Sequence, residues 1–172
     1  GLEVFSGKIE KMSKSKKNVV DPNDIISLYG ADTARWFMLS DSPPDRDLQW
    51  TETGIVSSYK FINRLWDLVD KYENYSVKKV GGTQTIEILK ENINFVTEYI
   101  ETFQFNKAVA KIYEYVNTLS LSIQQKGLSE EDLIWCLKRL CIILQPFVPH
   151  ISEEIWSNIS GEGLCINQKW AI

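Results

Sequence analysis

A segment of ten residues near the start of the chain, 8–17, concentrates five lysines and a single glutamate. Within it, Lys11 and Lys14 stand three residues apart, with Ser13 between them and Ser15 directly after. Two ammonium groups, two hydroxyls and the N–H groups of a turn, all in one short loop, can bind a polyphosphate. The segment is not a Walker loop, because the pattern GxxxxGK followed by Ser or Thr is absent. We therefore predict a phosphate-binding loop of another kind.

Charge alone leaves other interpretations of this lysine-rich segment open. Lysine runs are typical of solvated surface loops, can serve as localisation tags, and also arise by chance. The chain has a net charge of −4 and the segment contributes +4, so the remainder carries −8. A protein with that balance does not bind polyanions over its whole surface. Any phosphate ligand must therefore meet a local cluster of cations.

The cysteines and the single histidine, which often serve in catalysis or metal binding, indicate no second functional site. Cys136, Cys141 and Cys165 form no CxxC pair, which predicts reduced core thiols and no metal site. His150 stands at a predicted helix start, where a capping or packing role is favoured over catalysis. The sequence has no run of about 18 apolar residues and no signal-peptide pattern. We expect a cytoplasmic protein with no membrane partner.

Short elements must position the lysine loop. Residues 1–12 alternate weakly between apolar and polar types and predict a short strand that leads into it. On the other side, Asp21 can cap a helix over about 22–29, and Gly30 can terminate that helix. A second short helix, ADTARWFMLS, follows directly.

The rest of the sequence predicts an antiparallel bundle of amphipathic helices, so the expected fold class is mainly α. The double proline in SPPDRDLQW breaks the helical pattern. We place the boundary there, between a loop segment, 1–47, and a helical domain, 48–172. Apolar spacing predicts helices over about 52–73, 84–101 and 107–125, one opened by Ser129, and one over about 149–159. Asn106 is a good cap for the third of these, and Ser129 with Asp132 resembles a capping box.

The predicted helix over 52–73 has two distinct faces. Spacings of four and three predict one buried apolar seam, made by Ile55, Tyr59, Ile62, Trp66 and Val69. Phe61, Leu65 and Leu68 are predicted to widen this seam. Lys60, Arg64 and Lys71 fall together on the other face, where unbroken helical spacing could follow successive phosphates of a nucleic acid. The structural alternative is the solvated face of a supporting bundle, and Asp67 among the cations weakens the charge signal.

The lysine loop also carries a family resemblance. Residues 11–15 read KMSKS, the signature of class I aminoacyl-tRNA synthetases, and KNVVDPNDIISLYGADTARWFML continues in a way similar to that family. Other stretches resemble its leucyl members of the bacterial type, namely SPPDRDLQW, FNKAVAKIYEYVN, LQPFVPHISEEIW and a late GEG. The resemblance covers about residues 7–170.

This resemblance implies roles within the loop. In the family, the carboxylate of leucine attacks the α-phosphate of ATP, so Lys11 and Lys14 are expected to act catalytically on the departing pyrophosphate. The implied ATP-binding set is Lys11, Met12, Ser13, Lys14 and Ser15. Met12 is expected to anchor the loop by packing and Asn18 to brace it. Lys8, Lys16 and Lys17 are expected either to meet tRNA or to be solvated.

The resemblance also implies partners. The helical domain is expected to bind tRNA(Leu), not DNA, through Lys60, Arg64 and Lys71. The HIGH motif of the family is absent, so we predict a fragment that binds no cofactor alone and is inactive alone. ATP, Mg²⁺ and leucine would meet the rest of the enzyme. A fragment of an isoleucyl or valyl synthetase and a non-catalytic tRNA-binding module remain alternatives.

Overall fold

The computed structural model describes residues 11–73, 75–76, 83–159 and 162–171 of the 172-residue chain. Over these ranges the regular structure is helical, with seven α-helices and no strand. The helices are α1 Pro22–Tyr29, α2 Ala31–Ser40, α3 Glu52–Glu73, α4 Thr83–Glu101, α5 Phe105–Gln125, α6 Glu130–Leu144 and α7 Pro149–Ile159. The mainly α fold class is confirmed. The predicted strand falls largely on residues 1–10, outside the described residues, and residues 11 and 12 are irregular.

Local capping chemistry sets the start of two helices. The Asp21 carboxylate accepts a hydrogen bond of 2.8 Å from the Asn23 N–H and opens α1. The Ser129 hydroxyl accepts one of 3.0 Å from the Asp132 N–H and opens α6. Both predicted caps are confirmed, because a side-chain acceptor next to the first turn satisfies an N–H that the helix leaves unpaired.

The predicted cap at Asn106 is wrong. Helix α5 already begins at Phe105, and its N-cap residue, Gln104, makes no side-chain capping bond. The backbone of the α4–α5 turn decides this start: the Gln104 N–H donates to the Tyr99 carbonyl over 2.7 Å, and Phe103 adopts a left-handed φ of 56°. The turn therefore closes before the chain reaches Asn106.

Helix α5 lies at the centre of the bundle and packs against α2, α3, α4 and α6. Its Tyr115 is fully buried and donates a hydrogen bond of 2.8 Å to the Cys136 carbonyl of α6. Burial raises the pKa of the Cys136 thiol to about 12. Cys141 and Cys165 are also buried and free. The prediction of reduced core cysteines is confirmed.

Two residues of the predicted apolar seam of α3 are exposed, while the rest of the buried face agrees with the prediction. Phe61 and Leu65 are buried, whereas Tyr59 and Trp66 are 40% and 39% exposed. The prediction that Trp66 points into the seam is wrong. The physical reason is helix α2, whose fully buried Trp36 stacks on Phe61 with ring centroids 4.5 Å apart and draws that side of α3 inward.

Helix α2 also bonds to the start of α7. The buried Asp32 carboxylate accepts a hydrogen bond of 2.7 Å from the Ile151 N–H, and its other oxygen lies 2.8 Å from His150 Nδ1. A carboxylate at a helix N-terminus satisfies a free N–H and interacts favourably with the helix dipole. Asp32 therefore caps α7, and the His150 ring contacts this carboxylate without capping the helix itself.

One turn further along α2, Arg35 bonds to the turn between α6 and α7. Its Nε donates to the Phe147 carbonyl over 2.9 Å and its Nη2 to the Pro146 carbonyl over 2.8 Å. We call Asp32, Arg35 and their partners in residues 146–151 the α2 clasp. The clasp fixes α2 to the bundle, and Trp36 lies in the same core as the later helices. The boundary between residues 47 and 48 stays a prediction.

Candidate functional site

The KMSKS loop is a compact turn braced by Asn18. The Asn18 Oδ1 accepts a hydrogen bond of 2.8 Å from the Ser13 N–H, and its Nδ2 donates to the Lys11 carbonyl over 3.3 Å. Inside this bracket the chain forms one turn of 3-10 helix, Lys14–Lys16. The bracing role predicted for Asn18 is confirmed. One amide side chain thereby binds the first and the third residue of the signature.

Polar groups of the signature face one another in this turn. The hydroxyls of Ser13 and Ser15 lie 3.2 Å apart, and the side chain of Lys11 is exposed. The side chain of Lys14 lies outside the described part of the loop. Met12 is 41% exposed and takes no part in the core, so the packing role predicted for it is wrong. The loop is held by the hydrogen bonds of Asn18 instead.

A second candidate site is a groove of about 700 Å³ between α3 and α5, which we call the α3–α5 groove. Of the cations predicted to bind tRNA, Arg64 and Lys71 line this groove, whereas the exposed Lys60 is not among its lining residues. Opposite them lies Lys126, at the end of α5. Arg64 is half-buried, and its Nη2 donates to the Ser120 hydroxyl over 3.3 Å.

The charged residues that line the α3–α5 groove are all positive. Its lining residues are Arg64, Lys71, Tyr75, Asn117, Ser120, Leu121, Ile123, Gln124 and Lys126, and none of them carries a carboxylate. Within the described ranges none of the three cations forms an ion pair. The chain as a whole has 23 acidic residues against 19 basic ones, so this segregation is a property of the groove. Such a surface attracts anions.

A smaller cavity between α4 and α5, of about 330 Å³, has the opposite character. Its one cation, Lys111, pairs with Glu114 over 2.7 Å, and Glu91 also lines it. The hydrogen bond that Lys111 donates to the Glu114 carboxylate raises the pKa of Lys111 above its ordinary value. The positive charge here is neutralised locally, so this cavity is not a second anion site.

Sequence reasoning missed Lys126. It is the C-cap residue of α5, with a left-handed φ of 53°, and its Nζ donates to the Ser76 hydroxyl over 2.9 Å. Its only signal in the sequence is the following Gly127, which marks a helix end and says nothing of a partner. The proximity to Arg64 arises only when α3 and α5 pack together.

Two kinds of site are absent from the described ranges. There, no three His, Cys, Asp or Glu side chains come together in a way that could hold a metal ion. Among the helices of that part of the chain, none combines the length and the apolar character that crossing a bilayer requires.

The loop, the groove and the helical bundle define a class of protein that comparison with known families identifies. Residues 85–172 match the family of the anticodon-binding domain of tRNA ligase, and residues 4–51 match tRNA synthetases class I (I, L, M and V). The first match covers just over half of the chain. The chain belongs to the family of anticodon-binding domains of tRNA ligases.

Within this class, the chain is similar to leucine–tRNA ligases along nearly its whole length. It is 45% identical over 166 residues to the leucine–tRNA ligase of Cereibacter sphaeroides (strain ATCC 17025), which covers 93% of this chain and 18% of that protein. It is 41% identical over 177 residues to that of Caulobacter vibrioides, which covers 99% of this chain and 20% of that protein. The chain thus spans about a fifth of the length of these relatives.

A solved structure has the same fold. The chain superposes with a TM-score of 0.80 and 29% identity on the agnB2 LeuRS of Agrobacterium radiobacter K84, in its crystal structure as a ternary complex with tRNA and LeuAMS. The match covers 93% of this chain and 22% of that one. The resemblance to leucyl-tRNA synthetases that the sequence indicates is confirmed, and so is the helical architecture.

Proposed function

We propose that this chain is the part of a leucine–tRNA ligase that supplies the pyrophosphate-stabilising loop and a tRNA-binding helical surface. The observation that carries the proposal is the KMSKS loop, braced by Asn18, next to a bundle that resembles leucine–tRNA ligases throughout. The reaction would activate leucine with ATP to leucyl-adenylate and then transfer it to tRNA(Leu). Alone, the chain would not complete this reaction. A ligase for tRNA would act in the cytoplasm.

In the activation step, the leucine carboxylate attacks the α-phosphate of ATP and the bond to the β-phosphate breaks. Negative charge then builds on the departing pyrophosphate. Lys11 and Lys14 would neutralise that charge, while the hydroxyls of Ser13 and Ser15 and the loop N–H groups of residues 11–15, Met12 included, donate hydrogen bonds. Such contacts accelerate the reaction only if they are stronger in the transition state than with bound ATP.

Magnesium would accompany ATP in the whole enzyme and would help to neutralise the phosphates. Across the described ranges no cluster of His, Cys, Asp or Glu fits a metal ion. This chain would therefore act on the phosphates through its ammonium groups and hydroxyls, and any protein ligands of the ion would come from elsewhere in the enzyme.

The helical surface would hold tRNA(Leu) through its backbone. Lys60, Arg64 and Lys71 follow one edge of α3 at helical spacing, and two of them line the α3–α5 groove. Contacts of cations with phosphates fix the position of a nucleic acid without reading its sequence. We therefore propose contacts to the tRNA backbone, and no DNA-binding role.

The loop assignment is tested by leucine-dependent ATP–pyrophosphate exchange in the whole ligase with Lys14→Ala. Loss of one preorganised contact to developing charge costs about 2–4 kcal/mol, so exchange should slow by about 30-fold to 1,000-fold. The matched control is Lys90→Ala, because Lys90 is an exposed lysine that pairs with Glu87 on α4. Unchanged exchange with Lys14→Ala would refute the assignment.

The same assay separates the proposed function from its alternatives. Exchange that depends on isoleucine or valine instead of leucine would assign the chain to another ligase of this class. A reading frame that carries KMSKS without a HIGH motif upstream would indicate a non-catalytic tRNA-binding module.

A further inference from the structure

We propose that Lys126 and the polar edge of α5 form the second wall of an RNA-binding site, so that one strand of the tRNA backbone lies within the α3–α5 groove. This inference rests on the proposed function, because it takes tRNA as the ligand. The α5 residues of this site are not marked by any sequence motif. Together with the row of cations on α3, they form a site with two walls.

The charge distribution is the first support. The groove holds three cations and no carboxylate among its described lining residues, in a chain with more acidic than basic residues. The neighbouring α4–α5 cavity shows the ordinary alternative, since its Lys111 is paired with Glu114. Cations left without carboxylate partners in a concave site favour a polyanionic ligand.

The distance between the two cations of α3 indicates how much of an RNA strand the groove can hold. Arg64 and Lys71 are seven residues apart, which corresponds to about 10 Å along a helix axis. A nucleic-acid strand carries one phosphate per nucleotide, so two cations at this distance can contact different phosphates of the same strand. The groove can therefore hold a stretch of backbone and not one isolated phosphate.

Polar side chains of α5 line the wall of the groove opposite α3. Asn117 and Gln124 present amide groups to the groove, and Lys126 closes its end. Ser120 accepts the hydrogen bond from Arg64 Nη2, so it acts as a positioning residue for the guanidinium. A guanidinium that is already oriented loses little side-chain freedom when it binds a phosphate in bidentate fashion.

The backbone of Lys126 adopts a conformation that is uncommon for residues other than glycine. Its φ of 53° and ψ of 40° place it in the left-handed region, where helices usually end with glycine. A lysine costs roughly 1 kcal/mol more than glycine in that conformation. The chain nevertheless has lysine at this residue and glycine at the next, Gly127. A lysine therefore occupies a position whose backbone conformation favours glycine.

This conformation permits a test that separates binding from folding. Lys126→Gly relieves the left-handed strain, and Lys126→Asn introduces a residue that tolerates it, so both variants should unfold at or above the wild-type temperature. Lys107→Asn is the matched control. It removes the same charge from an exposed residue of the same helix, outside the groove.

The measurement is the affinity of this chain for a tRNA(Leu) transcript between 50 and 200 mM salt. Each Lys126 variant should lower the slope of log affinity against log salt by about 0.9, as expected for one lost phosphate contact. The salt-dependent loss of affinity over this range should then be about threefold smaller than in wild type. Lys107→Asn should keep the wild-type slope.

The outcomes distinguish the two-walled site from the tRNA-binding function on which it rests. If Lys60→Ala with Arg64→Ala weakens binding while both Lys126 variants keep the wild-type slope, the two-walled site is wrong and the tRNA-binding role of α3 stands. If wild type shows no salt-dependent binding of the transcript, both are wrong. Equal slope changes in Lys126→Asn and Lys107→Asn would also overturn the site, because they would indicate only a general effect of net charge.

Discussion

Replacement of Asp32 tests whether the α2 clasp holds the loop segment on the bundle. The Asp32 carboxylate accepts the Ile151 N–H over 2.7 Å and lies at the start of α7. Asp32→Ala leaves that N–H without its acceptor, which costs about 1–3 kcal/mol, and removes a charge that interacts with the helix dipole, worth about 0.3–1 kcal/mol or more. We expect a loss of about 2–4 kcal/mol in the free energy of unfolding.

A second substitution divides this loss into its two causes. Asp32→Asn keeps an oxygen that can accept the Ile151 N–H but loses the charge, so it should cost about 1 kcal/mol. Asp45→Ala is the control, because Asp45 is an exposed aspartate in the loop between α2 and α3. It should change the unfolding free energy by less than about 0.5 kcal/mol.

Urea denaturation followed by tryptophan fluorescence measures these differences, since the chain has six tryptophans. The melting temperature should fall by roughly 4–16 °C for Asp32→Ala in a chain of this size. A change below 0.5 kcal/mol would show that the clasp contributes nothing to stability. Equal losses for Asp32→Ala and Asp32→Asn would show that charge, and not the hydrogen bond to Ile151, is the cause.

Two further predictions concern packing and pH. A Cβ on Gly54 would lie 2.5 Å from Phe37 Cε2 and 2.8 Å from Thr51 Oγ1. Gly54→Ala should therefore lower the free energy of unfolding, measured by urea denaturation, by about 1–3 kcal/mol. An unchanged free energy of unfolding would contradict the close packing of α2 on α3. Burial raises the folded-state pKa of Cys136 from 9.0 to about 12, so above pH 9 the unfolded chain releases a proton that the folded chain keeps. The stability that this thiol contributes below pH 9 should be lost at roughly 1.4 kcal/mol per pH unit as the pH rises towards 12. Cys136→Ala should weaken the alkaline decline by that amount, and an identical decline in both proteins would refute the role of the thiol.

The ends of helices could be predicted where local side chains set them. Asp21 and Ser129 cap α1 and α6 through N–H groups two and three residues away, so the sequence contains all the information. The start of α5 could not be found in this way, because the backbone bond between Gln104 and Tyr99 closes the turn first. Competition between a side-chain cap and a backbone turn depends on the geometry of both helices.

The faces of helices were harder to predict than their bounds. Apolar spacing on α3 indicated a seam that included Tyr59 and Trp66, and both residues lie at its exposed edge. The stacking of Trp36 on Phe61 decides the orientation, and these residues are far apart in sequence. Periodicity shows that a helix has a buried side but does not reveal which neighbouring helix covers it.

The candidate site also has one part that the sequence could predict and one part that it could not. The signature and its brace, Asn18, lie within eight residues and could be predicted. The α3–α5 groove could be predicted only as one row of cations, since Lys126 lines it from the end of a helix that starts 41 residues after Arg64. A row on one helix is visible in a sequence, whereas a concave surface between two helices is not.

The single residue between α1 and α2 is a joint at which a change in backbone angle would swing the first helix. Gly30, with φ 84° and ψ 156°, holds a conformation that side chains other than hydrogen rarely permit. The α2 clasp fixes one side of this joint, while α1 buries none of its residues on the other. Its eight residues give an arm of about 12 Å, so a rotation of about 20° at Gly30 would carry Pro22 through roughly 4 Å. The KMSKS loop, attached at that end, would travel with it while the bundle stays in place.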